Sequence, residues 1–294
     1  MPELPEVQTT VNYLKKKLVR LRFKDVWSDW EKTVKQAGGS ANLKKEIKNK
    51  KIIDVYRRAK FIVIDIEGDK SIFIHQKISG HLLYGKWALK DGIWRAKERG
   101  PLNESKNQYI RVVFGLSNGF QLALSDLRRF GKILLVKDKD VSNIKEVRDL
   151  GPEPLDIDFK SFQILFQGAK PKRGRVKTVL MDPFFIVGIG NIYSDEILWK
   201  AGLHPLSRVE NLDSGDLRRI FNATQIILKK AVKFGGSSVD DYRMPSGEKG
   251  KFQNMQNAYH QTGRRCKKSD SGVIKRIVVG GRSAHFCPEH QLLK

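Results

Sequence analysis

Apolar positions open the chain at helical spacing. Val7, Val11, Leu14 and Leu18 fall on one face, and Pro5 is tolerated only in a first turn, so residues 3–18 are predicted to form a helix. From about 20 to 135 the period drops to two. Phe61–Ile66, Ser71–His75, Ile110–Phe114 and Lys132–Val136 alternate or run apolar as strands do, and Ser117-Asn118-Gly119 marks a hairpin between two of them. Residues 136–156 are polar and end in Gly151-Pro-Glu-Pro154, which reads as a hinge. Helical periodicity returns over 157–233, most clearly from Leu217 to Val232. The tail from 240 is rich in glycine and basic residues, and it closes in a predicted hairpin, Gly272 to Phe286. The pattern gives a multidomain α+β protein: a β-sandwich or barrel over 1–135 with a leading helix, the hinge, a helical domain over 157–240, and a loop and hairpin over 241–294. Of sandwich and barrel, the sandwich is the expected form.

Charge adds a partner to this picture. The chain has 294 residues, and 56 Lys and Arg stand against 32 Asp and Glu, a formal net charge of +24. A polyanion is implied, because each phosphate neutralised releases condensed counterions. No apolar run is long enough to span a membrane. No basic-then-apolar leader is seen, so a cytoplasmic, nucleoid-associated location is expected. The two cysteines, Cys266 and Cys287, come late in the chain, where metal binding or burial is expected before a disulfide.

The first six residues, Met1-Pro-Glu-Leu-Pro-Glu6, carry the most specific chemistry. Loss of Met1 would leave Pro2 as a terminal secondary amine with Glu3 beside it. Such an amine can attack an aldehydic carbon and form a permanently charged iminium. Its reference pKa near 8, against about 10.4 for lysine, leaves more of it neutral at pH 7. Glu6 either orients this turn or is a first-turn carboxylate favoured by the helix dipole.

Three further segments follow in order: Arg57-Arg-Ala-Lys60; His75-Gln-Lys-Ile-Ser-Gly80 with Ser125-Asp-Leu-Arg-Arg-Phe-Gly131; and Lys177 with Gly188-Ile-Gly-Asn-Ile-Tyr193 and Ser194-Asp-Glu196. With the opening hexapeptide they resemble the formamidopyrimidine-DNA glycosylases, base-excision repair enzymes of the helix-two-turns-helix superfamily. The resemblance spans nearly the whole chain. It implies that Pro2 is the nucleophile, Glu3 moves protons, and Lys60 touches a phosphate near the damaged nucleotide. It also implies a base rotated out of the duplex, with Ile78, Arg128 and Phe130 filling the gap. The family wedge is Met; Ile78 is β-branched and stiffer. Lys172, Lys177 and Asn191 match phosphate-contacting positions, and Asn107 stands where the family has a phosphate-contacting His. Arg282 matches the hairpin Arg credited with a role in the second elimination.

The tail resembles the family zinc finger imperfectly. Its second half reads Cys287-x2-His290, and counting through the hairpin puts Asp270 at one of the family cysteine positions. One structural Zn²⁺ held by Cys266, Asp270, Cys287 and His290 is the expected set, with His260 or His285 as alternative ligands. The loop from Gly235 to Tyr242 and on to Tyr259 favours oxidised purines, since relatives preferring oxidised pyrimidines have a shorter one. The resemblance thus implies a monomeric DNA glycosylase and abasic-site lyase acting on double-stranded DNA with 8-oxoguanine, formamidopyrimidines or abasic sites, by β,δ-elimination. A pyrimidine-specific relative, a non-catalytic binder of damaged DNA, and a ribosome-associated basic protein are the rival readings.

Overall fold

The computed structural model describes residues 1–167 and 173–294. The chain forms two compact units. Residues 1–148 and 232–253 make the first, and residues 149–231 and 254–294 make the second. The segment read from sequence as 241–294 therefore divides near 253.

The first unit begins with α1 (Leu4–Leu18). Glu3 caps it through a reciprocal capping box with Glu6, and Pro5 lies in the first turn, where its missing N–H costs nothing. Val7, Val11, Leu14 and Leu18 are buried as the spacing predicts. Each such side chain contributes roughly 1.5–3 kcal/mol. Then come β1 (Phe23–Ser28), the short α2 (Glu31–Val34), α3 (Ser40–Ile47), β2 (Ile52–Arg58), β3 (Phe61–Ile66), β4 (Lys70–His75) and β5 (His81–Gly85). They are followed by β6 (Trp87–Lys90), β7 (Ile93–Ala96), β8 (Ile110–Leu116), β9 (Gln121–Ser125), β10 (Lys132–Lys137) and α4 (Lys145–Arg148).

Two antiparallel four-stranded sheets result, ordered β1-β8-β9-β5 and β10-β4-β3-β2. One core joins them. Ile62, Ile64, Ile72, Ile74 and Ile133 of one sheet meet Leu82, Val112, Phe114 and Leu124 of the other, with the buried face of α1. Alternation along β5, β8 and β9 puts Leu83, Val113 and Ala123 on the opposite face, where Trp87 joins them. That second apolar face is why these strands read as nearly continuous apolar runs rather than clean alternation. The hairpin at Asn118-Gly119 is present, with Gly119 at φ +79° and the Leu116 N–H donating to the Phe120 carbonyl.

The second unit contains α5 (Phe159–Gln167), α6 (Val176–Leu180), α7 (Asn191–Ala201) and most of α8 (Ser214–Lys233), then β11 (Lys275–Val279) and β12 (Arg282–Phe286). Every residue of α7 from Ile192 to Trp199 is buried, so it is the central helix of this unit and shows no apolar stripe. Helix α8 is amphipathic, burying Leu217, Ile220, Ala223, Ile227, Leu228 and Ala231. Between β11 and β12, Gly280 and Gly281 both take positive φ (57° and 72°), as a two-residue hairpin turn requires.

Candidate functional site

In the first unit the site is built around the chain start. Pro2 and Glu3 are buried, while Met1 is 47 % exposed. Glu6 anchors this turn. One of its carboxylate oxygens accepts the Glu3 N–H at 2.8 Å, and the other accepts the Ser237 N–H at 2.7 Å. Its carbonyl accepts the Tyr242 hydroxyl at 3.1 Å and the Thr10 hydroxyl at 3.0 Å. A methyl group on Gly236 would lie 2.8 Å from the Glu6 carboxylate and 3.2 Å from its Cα, and Gly236 sits at φ +76°. Of the two readings left open for Glu6, the orienting one therefore describes it. The hexapeptide alone does not show that it ties the chain start to a loop more than 200 residues away.

That loop is clasped from its other side. Arg243 grips both carboxylate oxygens of Glu104, at 2.6 and 2.7 Å, and donates to the Asp240 carbonyl at 3.1 Å. The Arg243 guanidinium holds the Glu104 carboxyl below the usual carboxylate range. Lys106 Nζ lies 2.6 Å from Asp241, which raises the lysine pKa. An open pocket of about 380 Å³ is lined by Met1, Ile78, Lys106, Arg128, Val239, Asp240 and Asp241.

The side chains proposed to fill a gap in a base stack stand on two loops held by one carboxylate. Buried Asp126 accepts the Ser79 hydroxyl from one loop and the Gly131 N–H, at 2.7 Å, from the other. Ser79 in turn accepts the Arg128 N–H at 2.9 Å. A side chain on Gly80 would collide with the Gln76 carbonyl at 2.3 Å, which explains the glycine in this tight turn. Ile78 and Phe130 are 38 % and 49 % exposed, although both are large and apolar, and the Arg128 guanidinium stacks over the Phe130 ring at 4.9 Å. Lys60 follows Ala59, which turns β2 into β3 at φ +53°, and is half-buried.

Asn107 departs from the expectation of a phosphate contact. It is fully buried; its amide donates to the Pro101 and Gly247 carbonyls at 2.8 and 3.0 Å, and its oxygen lies 2.9 Å from His81 Nε2. Its polar atoms are engaged inside the fold.

In the second unit Lys177 departs in the same way. It is fully buried, with Nζ 2.5 Å from Asp195 and 3.0 Å from the Ser194 hydroxyl. Asp195 also accepts from the His285 backbone N–H at 2.9 Å and faces His285 Nδ1 at 2.8 Å. The cation is therefore held away from any surface that a phosphate could reach. Lys172 lies outside the described residues. Asn191 is the first residue of α7, after Gly190, and its side-chain oxygen is buried with no partner among the described residues. Arg282 opens β12 directly after the glycine turn and is exposed.

The metal set needs one correction. Donor atoms of Cys266, Cys287 and His290 lie within 4.8 Å of one another, and Asp270, which is exposed, is not among them. The three fit a soft divalent ion. His290 Nε2 lies 2.9 Å from the Trp199 carbonyl, which can only accept, so the proton sits there and Nδ1 keeps its lone pair. Nδ1 faces the Cys266 sulfur at 3.2 Å. Burial pushes the Cys287 thiol up, while backbone N–H groups of His290 and Glu289 point at its sulfur.

The formamidopyrimidine-DNA glycosylase N-terminal domain model matches residues 1–133, and the model of the helix-two-turns-helix domain of the same enzymes matches 150–243. A formamidopyrimidine-DNA glycosylase of Pelotomaculum thermopropionicum is 32 % identical over 294 residues, all of both chains. One of Heliobacterium modesticaldum is 33 % identical over 99 % of this chain and all of its own. A Lactococcus lactis Fpg in complex with DNA containing an abasic site superposes with a TM-score of 0.81 at 30 % identity, covering 98 % of this chain and 99 % of that one. A mutant of that enzyme with DNA containing a formamidopyrimidine lesion reaches 0.82 at 30 % identity over 99 % of each chain. By matched domains, full-length identity and fold, the chain belongs to the formamidopyrimidine-DNA glycosylase family.

Proposed function

We infer that this chain excises oxidised purines from double-stranded DNA and then cleaves the strand at the abasic site, with Pro2 as nucleophile. The observation that carries this reading is the placing of the chain start. Met1 lines an open pocket, and Pro2 is buried immediately behind it. Removal of Met1 turns the Pro2 nitrogen into a terminal secondary amine at that pocket. The amine attacks C1′ of an extruded nucleotide; the glycosidic bond breaks and the base leaves with a proton. The proline nitrogen gives up its own proton, and the C1′–O4′ bond then opens as O4′ takes a proton to become a hydroxyl, leaving a C1′=N iminium. The iminium acidifies the C2′ proton, and Glu3 carries protons to and from the sugar. Loss of that proton expels the 3′ phosphate, and a second elimination expels the 5′ phosphate. Ile78, Arg128 and Phe130 occupy the space the nucleotide leaves. Lys60, Asn191 and Arg282 supply phosphate contacts, Asn191 through its side-chain N–H groups at the start of α7. Cys266, Cys287 and His290 would hold a structural Zn²⁺, which when bound braces the hairpin that carries Arg282.

Borohydride trapping on a duplex containing 8-oxoguanine tests this. A covalent adduct is expected from the protein lacking Met1, with little from Pro2→Gly and undiminished yield from Lys60→Ala. Robust trapping by Pro2→Gly, or its loss in Lys60→Ala, would move the nucleophile to the lysine. A thymine-glycol duplex run in parallel should be cut more slowly.

A further inference from the structure

The candidate metal centre is built from two turns, each beginning at a cysteine. In one, the Gln291 N–H returns to the Cys287 carbonyl at 3.1 Å, and His290 stands three residues after Cys287. In the other, the Ser269 N–H approaches the Cys266 carbonyl at 3.4 Å, the Lys268 N–H approaches the Cys266 sulfur at 3.5 Å, and Ser269 stands three residues after Cys266. Serine thus occupies the place in the first turn that a ligand occupies in the second. The hydroxyl also stands on the same side of Gly272 as the Cys287 sulfur. A methyl group on Gly272 would meet the Cys287 sulfur at 2.5 Å and Ser269 Oγ at 3.0 Å, so both atoms crowd the same point. The Gly272 N–H donates to Ser269 Oγ at 3.1 Å and fixes its side chain there. The Trp199 indole N–H donates to the Cys266 sulfur at 3.3 Å.

We propose that a metal ion held by Cys266, Cys287 and His290 has its fourth coordination position at Ser269, where a small exogenous ligand can bind. This rests on the metal reading given above. A neutral alcohol is a poor donor beside thiolates and imidazole, so the ion keeps three strong protein ligands and an exchangeable fourth position. A family finger with four protein donors is closed; this one is open at one identified corner.

Cobalt(II) loaded into the full-length chain reads this directly. Wild type should bind one ion with sulfur-to-cobalt charge transfer of two thiolates, and azide should shift its visible d–d bands. Ser269→Cys should raise the charge-transfer intensity by about half, abolish the azide response, and slow metal loss to a chelator about tenfold. Asp270→Ala should match wild type in every respect. An azide-insensitive wild type, a Ser269→Cys spectrum identical to wild type, or loss of the spectrum in Asp270→Ala overturns the proposal while the metal reading stands. A wild type that takes up neither cobalt nor zinc overturns the metal reading itself.

Discussion

Each unit buries a carboxylate beside residues singled out for chemistry, but the two are neutralised differently. In the first, Glu6 is met by backbone N–H groups of Glu3 and Ser237, close to a pocket open to solvent. In the second, Asp195 is met by the Lys177 ammonium and the His285 ring, with all three side chains at or near zero exposure. Dipoles suit a carboxylate whose task is to hold a chain end beside a cavity, because the N–H groups that meet it belong to the very segments being held together. A full ion pair in the interior does the opposite: it consumes its lysine. The same sequence resemblance that marks Lys177 for phosphate marks Lys60 and Arg282, and only the latter two remain partly or fully exposed.

The sharpest break of the comparison is at Lys177. Lys177→Met leaves Asp195 charged and buried without its ammonium, which should cost about 3–5 kcal/mol. Chemical unfolding should show that loss. If Lys177 instead served DNA, the variant would keep its stability and lose affinity with a shallower salt dependence. Restoring most of the stability with Lys177→Met/Asp195→Leu would identify the unpaired charge as the cause.

The corresponding change in the first unit should cost less. Glu6→Ala strands the Glu3 and Ser237 N–H groups in the interior, worth about 3 kcal/mol together. Gly236→Ala, forced to positive φ and against Glu6, should lose about 2 kcal/mol. Both should slow formation of the borohydride adduct, because the chain start is no longer held. Full stability in Glu6→Ala would mean that the tie between residues 3–6 and 237 is not maintained in solution.

What was legible in sequence depended on how local the cause is. Helix α1 was readable because Pro5 and the spacing of Val7, Val11, Leu14 and Leu18 are local signals, whereas its capping box between Glu3 and Glu6 was not read. The strands were readable as strands, though the second apolar face formed by Leu83, Val113 and Ala123 blurred their alternation. The glycosylase resemblance pointed at Pro2, Ile78, Arg128 and Phe130, which depend on short turns. It carried no signal for the burial of Lys177 and Asn107, whose surroundings are set by Asp195 and Gly247, distant in sequence. At the finger, counting back through the hairpin favoured Asp270, whereas the donor atoms that the fold brings together are those of Cys266, Cys287 and His290. Asp126, Ser237 and Arg243 carry no local signal at all. Their importance comes only from what the fold brings to them.

The two units also treat histidine differently, and pH reads that contrast. His285 sits against Asp195, whereas His75, at the start of the loop carrying Ile78, faces Lys77, Lys60 and Lys132. Burial first, and those cations second, push His75 down to about 3. Its ring stands edge-on to Phe61 at 4.8 Å, and Nδ1 accepts the Lys77 N–H at 3.0 Å, which needs the neutral form. A histidine whose folded pKa lies below its unfolded value near 6.5 makes the unfolded chain bind more protons between those limits. Its contribution is therefore fully present above pH 6.5 and is lost as pH falls towards 3, at up to about 1.4 kcal/mol per unit. His75→Gln keeps an acceptor for Lys77 but does not titrate. The difference in urea midpoint between wild type and His75→Gln should shrink or reverse as pH falls from 7 to 4; a pH-independent difference would mean that His75 protonates freely in the folded state.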